Sequence, residues 1–246
     1  MLFHVNDNYG IFKSRLKRKD VNDLKRIVLV FLIVSTVIFG LNTKFEDVGV
    51  AHRISVVEDK ILLMEFSSET CGYCIKFMKE VFPDETVQKL LRSAYVFVEI
   101  LPNDKKTTFL EKEYTNSQLF GAFGIRGTPT FIFWKGDKGI TKLPGYVPSE
   151  TFVKILMYIL RYMEENIKEN FEEYMKKEDT FFGHPRIVTV SKEEGDFVLK
   201  NDPNSTYVDK FPENLDVFKV YVTSDKELAN SLKERGVYRV LLIQEE

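Results

Sequence analysis

The chain has 246 residues with 35 Lys and Arg against 37 Asp and Glu, a formal charge of -2. That balance is not one built to neutralise a phosphate backbone, so nucleic acid is not an expected partner. A hydrophobic fraction of 44% beside 29% charge allows a real core and excludes a disordered or collagen-like chain. Two cysteines and three histidines are too few for most metal frameworks or for a multi-disulfide scaffold. One cysteine pair remains, with no metal or cofactor expected.

The first informative segment is Ile27 to Leu41, IVLVFLIVSTVIFGL, uncharged throughout and preceded by Lys13, Arg15, Lys17, Arg18, Lys19, Lys25 and Arg26. At about 1.5 Å per residue it covers roughly 22 Å of a hydrocarbon layer of about 30 Å. The span must therefore borrow length from Leu24 and Phe45, with Lys25 and Arg26 snorkelling. A cleaved signal and a buried core helix compete with a membrane anchor. The long head contains Asp7, Asp20 and Asp23, and Gly49 to Ala51 is a weak cleavage site, so an uncleaved signal anchor fits best. Residues 1–26 then form a basic cytoplasmic segment, 27–43 a single transmembrane helix, and everything beyond is extracytoplasmic, or periplasmic.

Lys60 to Ser67, KILLMEFS, reads as a strand buried on both faces, and it runs into Glu69-Thr70-Cys71-Gly72-Tyr73-Cys74. Ile75, Phe77, Met78, Val81 and Phe82 then recur at helical spacing until Pro83, which places Cys71 at a helix amino terminus. Free backbone N–H groups and the positive end of the helix dipole stabilise a thiolate there. Cys74, one turn later, is placed to attack a mixed disulfide at Cys71. Zinc ribbons also use CxxC, but they need a second pair or added histidines; His4, His52 and His184 are isolated and read as surface or packing residues. Glu65 lies within the apolar run. A carboxylate there is costly unless it is hydrogen bonded or functional, and burial raises its pKa; the alternative is a strand-end side chain turned to solvent.

Gly124-Ile125-Arg126-Gly127-Thr128-Pro129 precedes a dense strand signal, TFIFW at Thr130 to Trp134. An X-Pro bond can be cis at modest cost, and such a loop facing a CxxC offers its backbone to an extended substrate segment. Strand, TCGYC, helix, GIRGTPTFIFWKGDKG, a second hairpin strand and Leu143-Pro144-Gly145-Tyr146 before a closing helix resemble the thioredoxin superfamily over residues 46–165. That resemblance implies Cys71 as the attacking cysteine, Cys74 as the resolving one, and Pro129 as a cis-proline preceded by Thr128. It implies Gly72, Tyr73, Thr128 and Pro129 at the substrate, and Glu65 as the acid that moves the resolving cysteine's proton.

Two departures from ordinary thioredoxin stand out: Thr70 replaces the usual tryptophan, and Gly72-Tyr73 replaces Gly-Pro. The TCGYC and GTP strings also occur in periplasmic disulfide isomerases. The wider pattern is similar to membrane-anchored extracytoplasmic thioredoxins of sulfur-oxidation and cytochrome-maturation systems. Isomerases of that kind carry a separate dimerisation domain, for which Leu41 to Lys60 leaves no room. The expected function is therefore a thiol-disulfide oxidoreductase acting on protein cysteines as a reductant or relay. Isomerase or oxidase activity, or a non-catalytic redox-sensitive interaction module, are the alternatives. Lacking a third cysteine, the chain needs an external redox partner such as a membrane electron carrier.

The remaining segments carry structure. In PNDKKTTFLEKEYTNSQLFGAFG, Asp104 to Thr108 reads as an exposed turn and Ser117 to Phe123 as a helix. Pro148 opens an amphipathic pattern from Phe152 through Tyr174 to about Lys177, whose second half would form a helical connector over 166–184. RIVTV, DFVLK, VFKVYVTS, ELANSLKERG and VYRVLLI then suggest a small β-rich α/β appendage at 185–246, with Gly236 as a helix C-cap and no visible catalytic equipment. The expected fold is α/β: a thioredoxin-like central mixed sheet flanked by helices, with an N-terminal transmembrane helix and this appendage.

Overall fold

The computed structural model of the chain describes residues 44–244. The expected membrane segment at 27–43 lies outside them; among the described residues no helix is long and apolar enough to cross a membrane.

The chain begins with β1 (Lys44–Phe45), α1 (Val48–Val57), β2 (Ile61–Phe66), α2 (Gly72–Glu80), α3 (Glu85–Ala94) and β3 (Tyr95–Ile100). A hairpin follows, β4 (Lys106–Phe109) and β5 (Lys112–Thr115), then α4 (Asn116–Ala122), β6 (Thr130–Lys135), β7 (Lys138–Pro144) and α5 (Ser149–Glu165). A five-stranded sheet runs in the order β1-β3-β2-β6-β7. β1, β3 and β2 are parallel, while β6 and β7 are antiparallel to their neighbours, so the sheet is mixed.

β2 sits at the centre, every residue of ILLMEF buried, because both of its faces are covered. Alternation divides those residues between two cores. Ile61 and Leu63 pack with Phe77 of α2, Leu90 and Leu91 of α3, and Phe152 and Leu156 of α5. Leu62, Met64 and Phe66 face Ala51 and Ile54 of α1 and Leu119 of α4. By parity Glu65 belongs to the first face, the side of the CxxC helix.

The second sheet comprises β8 (Arg186–Val190), β11 (Arg239–Ile243), β10 (Val220–Thr223) and β9 (Ser205–Tyr207), in that order and all parallel. α7 (Lys192–Asn201) and α8 (Lys226–Glu234) supply the crossings from β8 to β9 and from β10 to β11. Val198 of α7, with Val190, Val220, Val222 and Leu241, joins the same core as Val48, Ala51 and Ile54 of α1. Leu228, Ala229 and Leu232 of α8 fill a separate core with Tyr221 and Val240. The described residues 44–244 thus form one compact unit. α7 approaches β11 closely: a Cβ on Gly195 would lie 2.9 Å from Ile243 Cδ1. Gly236, at φ +88°, follows α8 as a C-cap glycine does.

Three local expectations change. Residues 104–108 are not simply an exposed turn, because 106–109 form a strand whose Thr107 hydroxyl donates to Asp47, the N-cap of α1, at 2.9 Å. The amphipathic pattern past Glu165 does not continue as one helix. Asn166 takes up φ 53°, ψ 41°, and only the single-turn α6 (Phe171–Tyr174) follows before β8. DFVLK is helical, lying in α7, whose start is a capping box between Ser191 and Glu194.

Candidate active site

β2 delivers the chain through buried Ser67 to Cys71, which is the N-cap of α2. The Cys71 sulfur accepts the Cys74 amide N–H at 3.2 Å, satisfying one of the donors a helix start leaves free. As a thiol it donates to the Thr128 carbonyl, also 3.2 Å away, across a sequence separation of 57 residues. The CxxC and the loop before β6 are thereby brought face to face. The Thr128–Pro129 peptide is cis. The loop is pinned on both sides: the Thr130 hydroxyl donates to the Gly127 carbonyl at 2.7 Å, and the Gly145 amide to the Pro129 carbonyl at 2.8 Å.

The two cysteines are free thiols in unlike surroundings. Cys71 is half-buried and reaches solvent; Cys74 is only 2% exposed. Burial works against ionisation of Cys71, but hydrogen bonds with the Cys74 and Thr128 side chains and with the Cys74 and Tyr73 backbone outweigh it and hold the thiol below its ordinary value. Cys74 moves the other way: burial raises it, and the hydrogen bond to Cys71 raises it further. At a pH between the two, Cys71 is the thiolate and Cys74 keeps its proton. The arrangement therefore has one ready nucleophile and one held in reserve.

Glu65 is 0% exposed, and neither carboxylate oxygen has a hydrogen-bond partner among the described residues. Burial pushes its pKa well above the ordinary value; the charges of Glu99 and Cys71 add to this, and Lys44 opposes it. Glu99 is its register partner on β3 and pairs with Lys44 at 2.5 Å. The surroundings of Glu65 thus favour the protonated form, on the side of the sheet that carries the CxxC helix. The solvent-facing alternative does not hold.

Gly72 and Tyr73 occupy the first turn of α2, both exposed. Tyr73, 63% exposed, stacks on Tyr146 with ring centroids 5.8 Å apart, and the Tyr146 hydroxyl reaches Glu80 at 3.2 Å. Sequence reasoning missed Ser67, Tyr146, Glu99 and Lys44. Glu99 carries the same signal that exposed Glu65, an acid inside an apolar run, here YVFVEI. Tyr146 stands in the Leu143-Pro144-Gly145-Tyr146 string, but nothing local shows its stacking on Tyr73, 73 positions away. His52 binds the Gly136 carbonyl at 2.7 Å and packs edge-on against Phe109, while His184 lies 3.2 Å from Glu165, so both stand with structural partners. Among the described residues no group of three or more His, Cys, Asp and Glu could hold a metal ion.

Residues 52–160 match the family of thioredoxin-like domains. Among solved structures, a thioredoxin-fold protein from Helicobacter pylori is similar at 20% identity and a TM-score of 0.44, over 55% of this chain and 88% of that one. A thioredoxin from Thermus thermophilus is similar at 22% identity and a TM-score of 0.40, over 48% and 88%. No curated protein matches the chain.

Proposed function

We propose that this chain, through the thioredoxin-like domain at residues 52–160, is a thiol-disulfide oxidoreductase that reduces or relays electrons to disulfides of other proteins. One observation carries the reading. The Cys71 sulfur caps α2, accepts the Cys74 amide and meets Thr128 beside Pro129, with the buried Glu65 carboxyl on the same side of the sheet. In the forward direction the Cys71 thiolate attacks one sulfur of a substrate disulfide, and the other sulfur leaves as a thiolate and takes up a proton. Cys74 then passes its proton to the carboxylate form of Glu65 and, as a thiolate, attacks the Cys71 sulfur; the second substrate sulfur leaves and takes up a proton as the Cys71–Cys74 disulfide closes. Two electrons have passed to the substrate, and an external reductant, of the class of a membrane electron carrier, must restore the dithiol.

Gly72, Tyr73, Thr128 and Pro129 would touch the substrate segment. The basic head and the apolar run Ile27 to Leu41 support placing the domain outside the cytoplasmic membrane on an uncleaved anchor, in the manner of membrane-anchored thioredoxins of sulfur oxidation or cytochrome maturation. The second sheet, 185–246, is read as a scaffold or partner-docking element.

The reading is tested with Cys74→Ser, which should accumulate disulfide-linked complexes through Cys71 that are cleaved by added dithiol. Cys71→Ser should give none and should abolish turnover. If cells carrying the Cys71→Ser, Cys74→Ser double variant keep wild-type function, the pair is static and the domain is an interaction module.

A further inference from the structure

The groove beside the redox pair is not electrically neutral. A cleft of about 490 Å³ runs along the loop before β6, walled by Gly127, Thr128, Pro129 and Gly145 and by two charged residues, Arg126 and Lys142. Both are cations, and no acid lines the cleft. The Lys142 ammonium is fixed in place, donating to the Phe123 carbonyl at 2.9 Å and the Gly124 carbonyl at 3.0 Å, so its charge is held at the cleft without a carboxylate to cancel it. Arg126 is exposed and has no ion pair among the described residues. The aromatic pair next to it differs in kind. There Tyr73 stacks on Tyr146, and Lys76, 4.9 Å from that ring, has Glu80 at 3.8 Å as a counter-charge. The charge beside the aromatic pair is therefore balanced, whereas the cleft along Thr128 is cationic.

We propose that Arg126 and Lys142 select substrates: the protein segment reduced at Cys71 is an extended strand carrying acidic residues beside its disulfide, laid along the cationic cleft next to Thr128. This deepens the oxidoreductase reading and rests on it. An extended segment repeats at about 3.3 Å per residue, so carboxylates two or three positions from the reacting cysteine lie within reach of a cleft that adjoins it. Unpaired cations at the rim act chiefly on encounter rate and on the rejection of like-charged partners, and salt weakens both effects.

The experiment uses the full chain in non-ionic detergent, reduced and then freed of reductant. Three extended peptides are compared, each with one cysteine held as a mixed disulfide to 2-thiopyridine and flanked by Asp, Ser or Lys pairs. Attack by the Cys71 thiolate on the peptide sulfur expels 2-thiopyridone, which is followed by its absorbance. Cys74 then releases the peptide thiol, so the protein dithiol supplies both electrons. At low ionic strength the Asp peptide should react on the order of tenfold faster than the Lys peptide, with the Ser peptide between them. At about 0.5 M salt the gap should close to roughly twofold or less. Arg126→Glu should invert the order and Arg126→Lys should keep it. Lys142→Gln should narrow the ratio and serves as a second variant if Arg126→Glu does not fold. Equal rates for the Asp and Lys peptides with the unaltered chain would overturn the charge selection while leaving the redox chemistry standing. Absence of thiopyridone from every peptide would overturn the oxidoreductase reading, and the selection with it.

Discussion

Cys71 and Cys74 are three positions apart, yet their protons are held at different strengths, and the cause is local. Cys71 sits where the helix start leaves an amide free and Thr128 closes over it, whereas Cys74 lies inside. Alkylation by iodoacetamide should therefore be confined to Cys71, with a rate that rises through a midpoint below the ordinary 9.0, and Cys74 should stay unmodified until well above it. Glu65 is likewise set by its immediate surroundings. Its folded-state pKa is raised, so between the ordinary 4.5 and the folded value the native state binds more protons than the unfolded one. Stability contributed by this group is therefore lost as pH rises through that window. Glu65→Gln removes the titration. The stability of the variant relative to the parent should climb from about pH 4.5 upward by roughly 1–3 kcal/mol, read from urea midpoints. In single-turnover assays the same variant should slow closure of the Cys71–Cys74 disulfide, shifting its pH profile rather than the rate of the first attack. An unchanged profile would reduce Glu65 to a buried structural acid.

At the scale of elements, the β4–β5 hairpin shows where the sequence signal ran out. Its two loop residues, Leu110 and Glu111, take φ of 50° and 63°, the left-handed region that Gly and Asn usually fill, so nothing in the sequence announced a two-residue turn. The hairpin holds because it docks on α1. Gly49 receives the approach, and a Cβ there would stand 2.3 Å from the Thr108 carbonyl oxygen. Gly49→Ala should cost about 1–3 kcal/mol in thermal or urea unfolding, since backbone rather than a flexible tip must give way. Glu111→Gly should stabilise by about 1 kcal/mol by relieving the left-handed residue. By contrast, β2, α2 and β6 were legible, because ILLMEF, the helical spacing after Cys71 and TFIFW each carry their own periodicity. The site was legible to the same extent: CxxC, Thr128-Pro129 and Glu65 stand in local patterns, while Tyr146, Lys142 and Lys44 join it only through contacts between elements. α7 could have been found from the S-x-x-E box at Ser191 to Glu194, a signal that the β-branched look of DFVLK obscured.

Over the whole molecule, the second sheet is not an appendage on a stalk but shares a core with α1 and is tied to the first sheet by charge. Asp59 meets Lys135 at 2.5 Å and Arg186 at 2.6 Å, Arg186 also meets Glu164, and Arg92 holds Asn204 at 2.8 Å and Asp216. Within this seam Glu58 is fully buried, with Lys60 at 2.7 Å and Asp202 beside it. Burial pushes Glu58 up to about 8; the Asp202 charge adds to this, and Lys60 opposes it. The sign follows as for Glu65: the group favours the folded state most below 4.5 and loses that contribution as pH rises through about 8. Asp179 acts oppositely. Hydrogen bonding to Arg161 holds it at about 2, so its contribution is present above 3.8 and disappears as pH falls through about 2. Global stability should thus fall from pH 5 to pH 8 in thermal melts, and Glu58→Gln should flatten that slope; an unaltered slope would place the loss elsewhere.

Whether Cys71 and Cys74 form an exchanging redox pair is read from the reduction potential of the full chain in detergent, equilibrated against graded thiol buffers. A reversible two-electron titration near roughly -270 mV is expected, the range of a reductant supplied by an external carrier. A value near roughly -120 mV would contradict the direction of transfer, and a pair that does not titrate reversibly would contradict redox exchange at these cysteines altogether.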